Sequence, residues 1–176
     1  MYYNKFIQFL KEHNLYDDKL FKYWFDNTIR FDYKDDEARD FIGVYYDIKD
    51  GYLRGMRSVL PFIDNDITIL INIHEYIHML LMYKKLNKKC IIGNDVEVLP
   101  ILFERIYVRE NETEELVKYL NYLDDYIISS NDYKYVLALE MSSKLLEYYR
   151  GQDIYKLNNK VKRMVLRNDI KKAFNI

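Results

Sequence analysis

Ile73-His74-Glu75-Tyr76-Ile77-His78-Met79 is the stretch on which the reading of this chain turns. It sits inside an apolar run and carries two of the three histidines. On a helix, residues i and i+4 lie one above the other, so His74 and His78 can aim both imidazoles at one metal ion. Glu75 is one residue further round the helix and is poorly placed as a ligand. It is well placed to take a proton from a water activated by that metal. Asn72, Ile73, Tyr76, Ile77, Met79 and Leu80 carry no charge, as expected of a buried helix. Two core histidines would give the same apolar context, but they would not require a glutamate between them.

A catalytic zinc takes three protein ligands and keeps one position for water. The third ligand has to come from elsewhere in the chain. His13 is remote and reads as a surface residue at the polar end of the first helix. A carboxylate remains, and Glu97 is the best candidate, eighteen residues intervening after His78. A helix, a short turn and a second, antiparallel helix would bring it back to the metal. Asp95 is the reserve ligand. Asn94-x-x-Glu97 also has the form of a capping box, in which the carboxylate would only close its own helix. Glu104, seven residues beyond Glu97 on the same helix face, could hold a ligand histidine by its second nitrogen.

The bulk properties frame this site. With 176 residues, the chain has room for one domain with a proper core, 1–176. Apolar residues make up 49% and charged residues 31%, as in a folded globular protein. A net charge of −1 argues against nucleic acid or an anionic membrane surface as the main partner. The single cysteine, Cys90, excludes an internal disulfide framework and fits a reducing, cytoplasmic setting. The start lacks the apolar run of a signal peptide. Ile67–Tyr83 is interrupted by Asn72, His74, Glu75 and His78, so no membrane span is expected.

Along the chain, residues 3–30 alternate apolar and polar at helical spacing, with stripes Phe6, Ile7, Phe9, Leu10 and then Leu20, Phe21, Trp24, Phe25, broken near Asn14. These predict two N-terminal helices packing a core. Residues 31–40 are charged and read as a linker. From Phe41 the period changes. Runs 41–48 and 52–60 are short, β-branched and aromatic, and Asp50-Gly51 between them signals a hairpin. Pro61 limits the second run to an edge position or a strand end. An edge there could take up an extended peptide by main-chain hydrogen bonds. Asp64 or Asn65 can cap the metal helix, which should run to about Leu86. Pro100 predicts a kink in the next helix, or a start one turn later than Asn94. Helices at about 112–128, 132–149 and 153–174 follow.

Together these stretches resemble the gluzincin zinc metallopeptidases of the oligoendopeptidase F and thimet oligopeptidase type. The residues that carry the likeness are the hairpin before the helix with His74-Glu75-x-x-His78, and Asp95-Val96-Glu97-Val98-Leu99-Pro100 followed by Glu104. Tyr133-Lys134-Tyr135 is similar to the end of that family's tyrosine-rich segment. Leu81 and Lys84 stand where a metzincin would carry Gly and His. The family's large helical dome has no counterpart here. The resemblance implies an α+β, mostly α-helical fold: a zincin-like core with a small hairpin or edge sheet, about 41–62, packed on the metal helix. Residues 1–40 would be N-terminal helices, 41–150 the catalytic core and 151–176 a C-terminal helix. It further implies Zn²⁺ on His74, His78 and Glu97, Glu75 as general base, and Tyr135 or Tyr133 as a donor to the transition state. The substrate would be a peptide or protein. A small regulatory peptidase acting on one protein, or a non-catalytic metal-binding or interaction module, are the alternatives.

Overall fold

The computed structural model describes residues 2–26, 28–31, 43–49, 52–61, 66–84, 86, 97–130 and 132–166. The chain divides into two compact units, Met1–Lys88 and Lys89–Ile176.

In the first unit, α1 (Tyr2–Glu12) buries Phe6, Phe9 and Leu10, spaced to lie on one helix face. Its end is set by Asn14, which takes the left-handed conformation, φ 56°. The Leu15 amide then donates to Leu10 O at 2.7 Å and the Asn14 amide to Lys11 O at 3.2 Å. This is a Schellman closure, and Leu10 and Leu15 are both buried beneath it. α2 (Asp18–Asp26) opens with the Asp17 carboxylate accepting from the Leu20 amide at 3.0 Å.

Three strands follow: β1 (Thr28–Phe31), β2 (Gly43–Lys49) and β3 (Tyr52–Pro61), in the order β1-β3-β2. β1 pairs with β3 in parallel, Thr28 opposite Ser58 through Phe31 opposite Pro61. β2 pairs with β3 antiparallel, from Gly43 opposite Val59 to Lys49 opposite Tyr52. The register slips at Asp47/Ile48, where Gly55 and Leu53 are the successive partners and Arg54 is the extra residue of a bulge. α3 (Asp66–Tyr83) comes next and packs against α1, α2 and β3. It is apolar around most of its circumference, and ten of its residues are buried. Tyr76 is edge-on to Phe6 at 5.9 Å and to Trp24 at 6.0 Å, and Phe6 lies 5.3 Å from Trp24. Each such aromatic pair contributes about 0.5–1.5 kcal/mol beyond its burial.

The second unit is helical throughout its described residues: α4 (Val98–Glu110), α5 (Glu114–Ser129), α6 (Tyr133–Tyr148) and α7 (Ile154–Leu166). α4 packs against the other three. Pro100 falls in its first turn, where the backbone amides lack helical acceptors, so the missing N–H costs nothing. The helix therefore begins at Val98, a turn later than Asn94. α5 is capped by Thr113, whose hydroxyl accepts from the Leu116 amide at 3.2 Å. Arg105 on α4 grips the Asp124 carboxylate on α5, 2.6 Å to Oδ1. Phe103 meets Tyr149 edge to face at 5.9 Å.

These elements correct the expected fold class, an α+β zincin-like core with a small edge sheet. The residues described as buried lie on helices or in the turns that end them, so the described core is α-helical. β3 is not an edge strand either. β1, which the sequence stripe assigned to helix, covers its outer side, so the proposed docking of an extended peptide on that edge is withdrawn. Pro61 is tolerated because it stands at the end of the strand. The Asp50-Gly51 turn, the Asp64 and Asn65 caps and the stretch 32–42 lie outside the described residues. Among the described residues, no helix is long and apolar enough to cross a membrane.

Candidate metal centre

The site starts from one turn of α3. Ile73, Tyr76, Ile77 and Leu80 are fully buried, while His74, Glu75 and His78 are half-buried. The helix is fixed on its core side by the aromatic cluster, and the Tyr76 hydroxyl reaches Leu15 O at 3.4 Å. Burial pushes the Tyr76 phenol far above its ordinary range, so it stays neutral. One turn earlier, the buried Asn72 amide donates to Thr68 O at 2.6 Å, so its polar group is satisfied within the helix.

Against that anchored face, His74 and His78 stand with ring centroids 4.8 Å apart and planes at 66°. Their Nε2 atoms are 3.1 Å apart. Two nitrogens about 2.05 Å from one ion in a tetrahedral arrangement stand roughly 3.3 Å apart. The pair is therefore already spaced for a shared ion without any change of rotamer. Glu97 supplies the third group: ligand atoms of His74, His78 and Glu97 all lie within 4.8 Å of one another. Glu97 occupies the N-cap position of α4, with φ −79° and ψ −19°, and its side chain makes no capping hydrogen bond. As the N-cap residue it does not close α4 with its side chain; Asn94, the other half of the capping-box spacing, lies outside the described residues.

Two imidazole nitrogens and one carboxylate oxygen are a donor set suited to a divalent ion of borderline hardness. The His74–His78–Glu97 cluster is a site able to coordinate a divalent metal, and the sequence reading of these residues meets in one place.

The remaining candidates fall as follows. Glu75 is half-buried beside His74 on the same turn. Glu104 is buried on α4, 7% exposed, two turns from Glu97. A carboxylate so far from water is unusual and marks the position as one built for a partner. Tyr133 and Tyr135 open α6 and are exposed, 44% and 37%. Asp95, the reserve ligand, lies outside the described residues. His13 is not a surface residue. It is buried at the end of α1, its ring 4.4 Å from that of Phe9 one turn back. The signal that could have found it was the i, i+4 spacing from Phe9, closed by the turn at Asn14.

Comparison with protein-family models, with curated proteins and with solved structures gives no match to this chain. The likeness to gluzincins rests on the motif residues alone, and what the structure shows is a His–His–Glu cluster that could hold a divalent metal ion.

Proposed function

We propose that this chain is a zinc-dependent metallopeptidase that cuts a peptide or protein substrate, with Glu75 as general base. The observation that carries the proposal is the convergence of Glu97 on the His74–His78 pair. His-Glu-x-x-His alone is a short pattern, but a carboxylate from a second helix arriving at the same point gives it a complete ligand set. His74, His78 and Glu97 would hold the ion. When bound, zinc supplies a Lewis acid that brings the pKa of water down to about 7.

Every other step belongs to the chain's own groups. Glu75, on the turn between the two histidines, accepts the proton of the attacking water and delivers it to the leaving amine nitrogen. Glu104 would orient a ligand imidazole through its second nitrogen, fixing which ring nitrogen faces the ion. Tyr135, or failing that Tyr133, would donate its phenol to the oxygen that gains charge in the transition state, a contribution of about 3 kcal/mol for one well-placed donor. A reducing, cytoplasmic setting fits the single cysteine.

The test is cleavage of a broad peptide library by protein purified without a nickel column, with and without phenanthroline. Cleavage that the chelator stops, and that Glu75→Gln abolishes while the metal stays bound, supports the proposal. Metal bound with no cleavage of any peptide would instead assign the cluster to a non-catalytic binding module.

A further inference from the structure

Charge is distributed unevenly in this chain. From Ile154 to the last residue there are seven Lys and Arg against one Asp, a local +6, so the other 153 residues carry −7. The overall −1 hides this contrast. α7 sorts it by face. Ile154, Leu157 and Val161 are buried, and the opposite side carries Lys156, Lys160 and Arg163 at i, i+4 and i+7. These three, with Asn159 and Met164, line a pocket of about 410 Å³.

Among the described residues, the contacts of Lys160 and Lys156 leave their charges largely in place. Lys160 Nζ lies 4.1 Å over the ring of Tyr148, a contact that positions the ammonium and leaves its charge in place. Lys156 is 77% exposed and meets Asp153 only at 3.9 Å, a pair of little strength at the surface.

We infer that the Lys156–Lys160–Arg163 pocket on α7 binds a short acidic peptide segment, and so selects substrates that carry a cluster of Asp or Glu. Its size suits a few side chains rather than an extended surface. The other 153 residues carry −7, a field that opposes a long polyanion such as a nucleic acid more than a short acidic segment. A short acidic segment meets only the pocket. Asn159 adds an amide donor, and Arg163 a planar fork suited to a carboxylate. The role in substrate selection rests on the peptidase reading above; the binding does not.

Binding is measured by fluorescence anisotropy of a labelled Glu-rich hexapeptide on the full chain, with phenanthroline present so that nothing is cut. A Gln-rich hexapeptide and a single-stranded oligonucleotide of equal charge serve as comparison probes. The acidic peptide should bind at least about tenfold tighter than either, and weaken steeply as salt is raised. Lys156→Glu, Lys160→Glu and Arg163→Glu combined should weaken it a further tenfold or so, while Lys156→Arg with Lys160→Arg should preserve it. Equal affinity for the Glu and Gln peptides, tighter binding of the oligonucleotide, or indifference to the charge reversal would each overturn the inference. Binding of the acidic peptide without any metal-dependent cleavage would uphold the pocket while refuting the peptidase.

Discussion

α3 and α4 are the hubs of their respective units, both buried over most of their surface, yet they present metal-binding groups in opposite ways. α3 offers two ligands from its middle, one turn apart on one face, with their Nε2 atoms 3.1 Å apart. α4 offers one ligand from its mouth, where Glu97 sits outside the regular hydrogen-bonding pattern. The imidazole pair is thus set within one helix turn, while the carboxylate comes from a separate part of the chain. A ligand of the second kind is the one more easily gained, lost or moved.

That contrast can be broken in several places. The largest effect is expected next to the imidazole pair: Glu75→Gln should lower peptide cleavage by about 10²–10⁴-fold with metal content unchanged, as read by steady-state kinetics and metal analysis on one preparation. The anchoring of α3 comes next. Tyr76→Ala opens a cavity among Phe6, Trp24 and Leu15 and should cost about 3–5 kcal/mol in urea unfolding. Tyr76→Phe keeps the ring and loses only a long hydrogen bond, so about 0.5–1 kcal/mol is expected.

The ligands themselves sharpen the comparison. Glu97→Ala should weaken metal binding by at least the ~10–100-fold typical of losing a supporting group, and His78→Ala by more, since it breaks the imidazole pair of one helix turn. Equal losses would remove the distinction between a pair set within one helix turn and a third ligand from a separate part of the chain.

The last effect belongs to the α4 unit and shows only at alkaline pH. Burial, reinforced by Glu110 and opposed by Arg109, pushes the Tyr149 phenol up to about 12. The unfolded chain releases that proton near pH 10, so the folded state holds it longer. The stability it contributes is complete below about pH 10 and is lost as pH rises through about 12. Urea midpoints across that window should fall in the parent chain and fall less in Tyr149→Phe.

The same division between local and non-local explains what the sequence made legible. The metal helix could be read because its signal is contained in five consecutive residues. The late start of α4 could be read because Pro100 restricts its own first turn. β1 was hidden, since Thr28-Ile29-Arg30-Phe31 continues the apolar spacing of α2 and finds its parallel partner thirty residues later. For the same reason β3 was read as an edge: whether a strand is central depends on a neighbour that its own residues do not specify. His13 was misread because the turn at Asn14 folds Leu15 back under α1 and takes the histidine with it. Glu97 lay between these cases. Its residue type fitted the missing ligand, but its spacing fitted a capping box equally well, and it is the nearness of its carboxylate to both imidazoles that supports the ligand reading.

The most direct measurement is zinc content and affinity of the chain purified without a nickel column, beside His74→Ala, His78→Ala and Glu97→Ala. One zinc per chain, lost with either histidine and weakened without Glu97, is the expected result. A parent chain that takes up no divalent ion, or one whose uptake all three substitutions leave unchanged, would contradict the metal centre and the chemistry built on it.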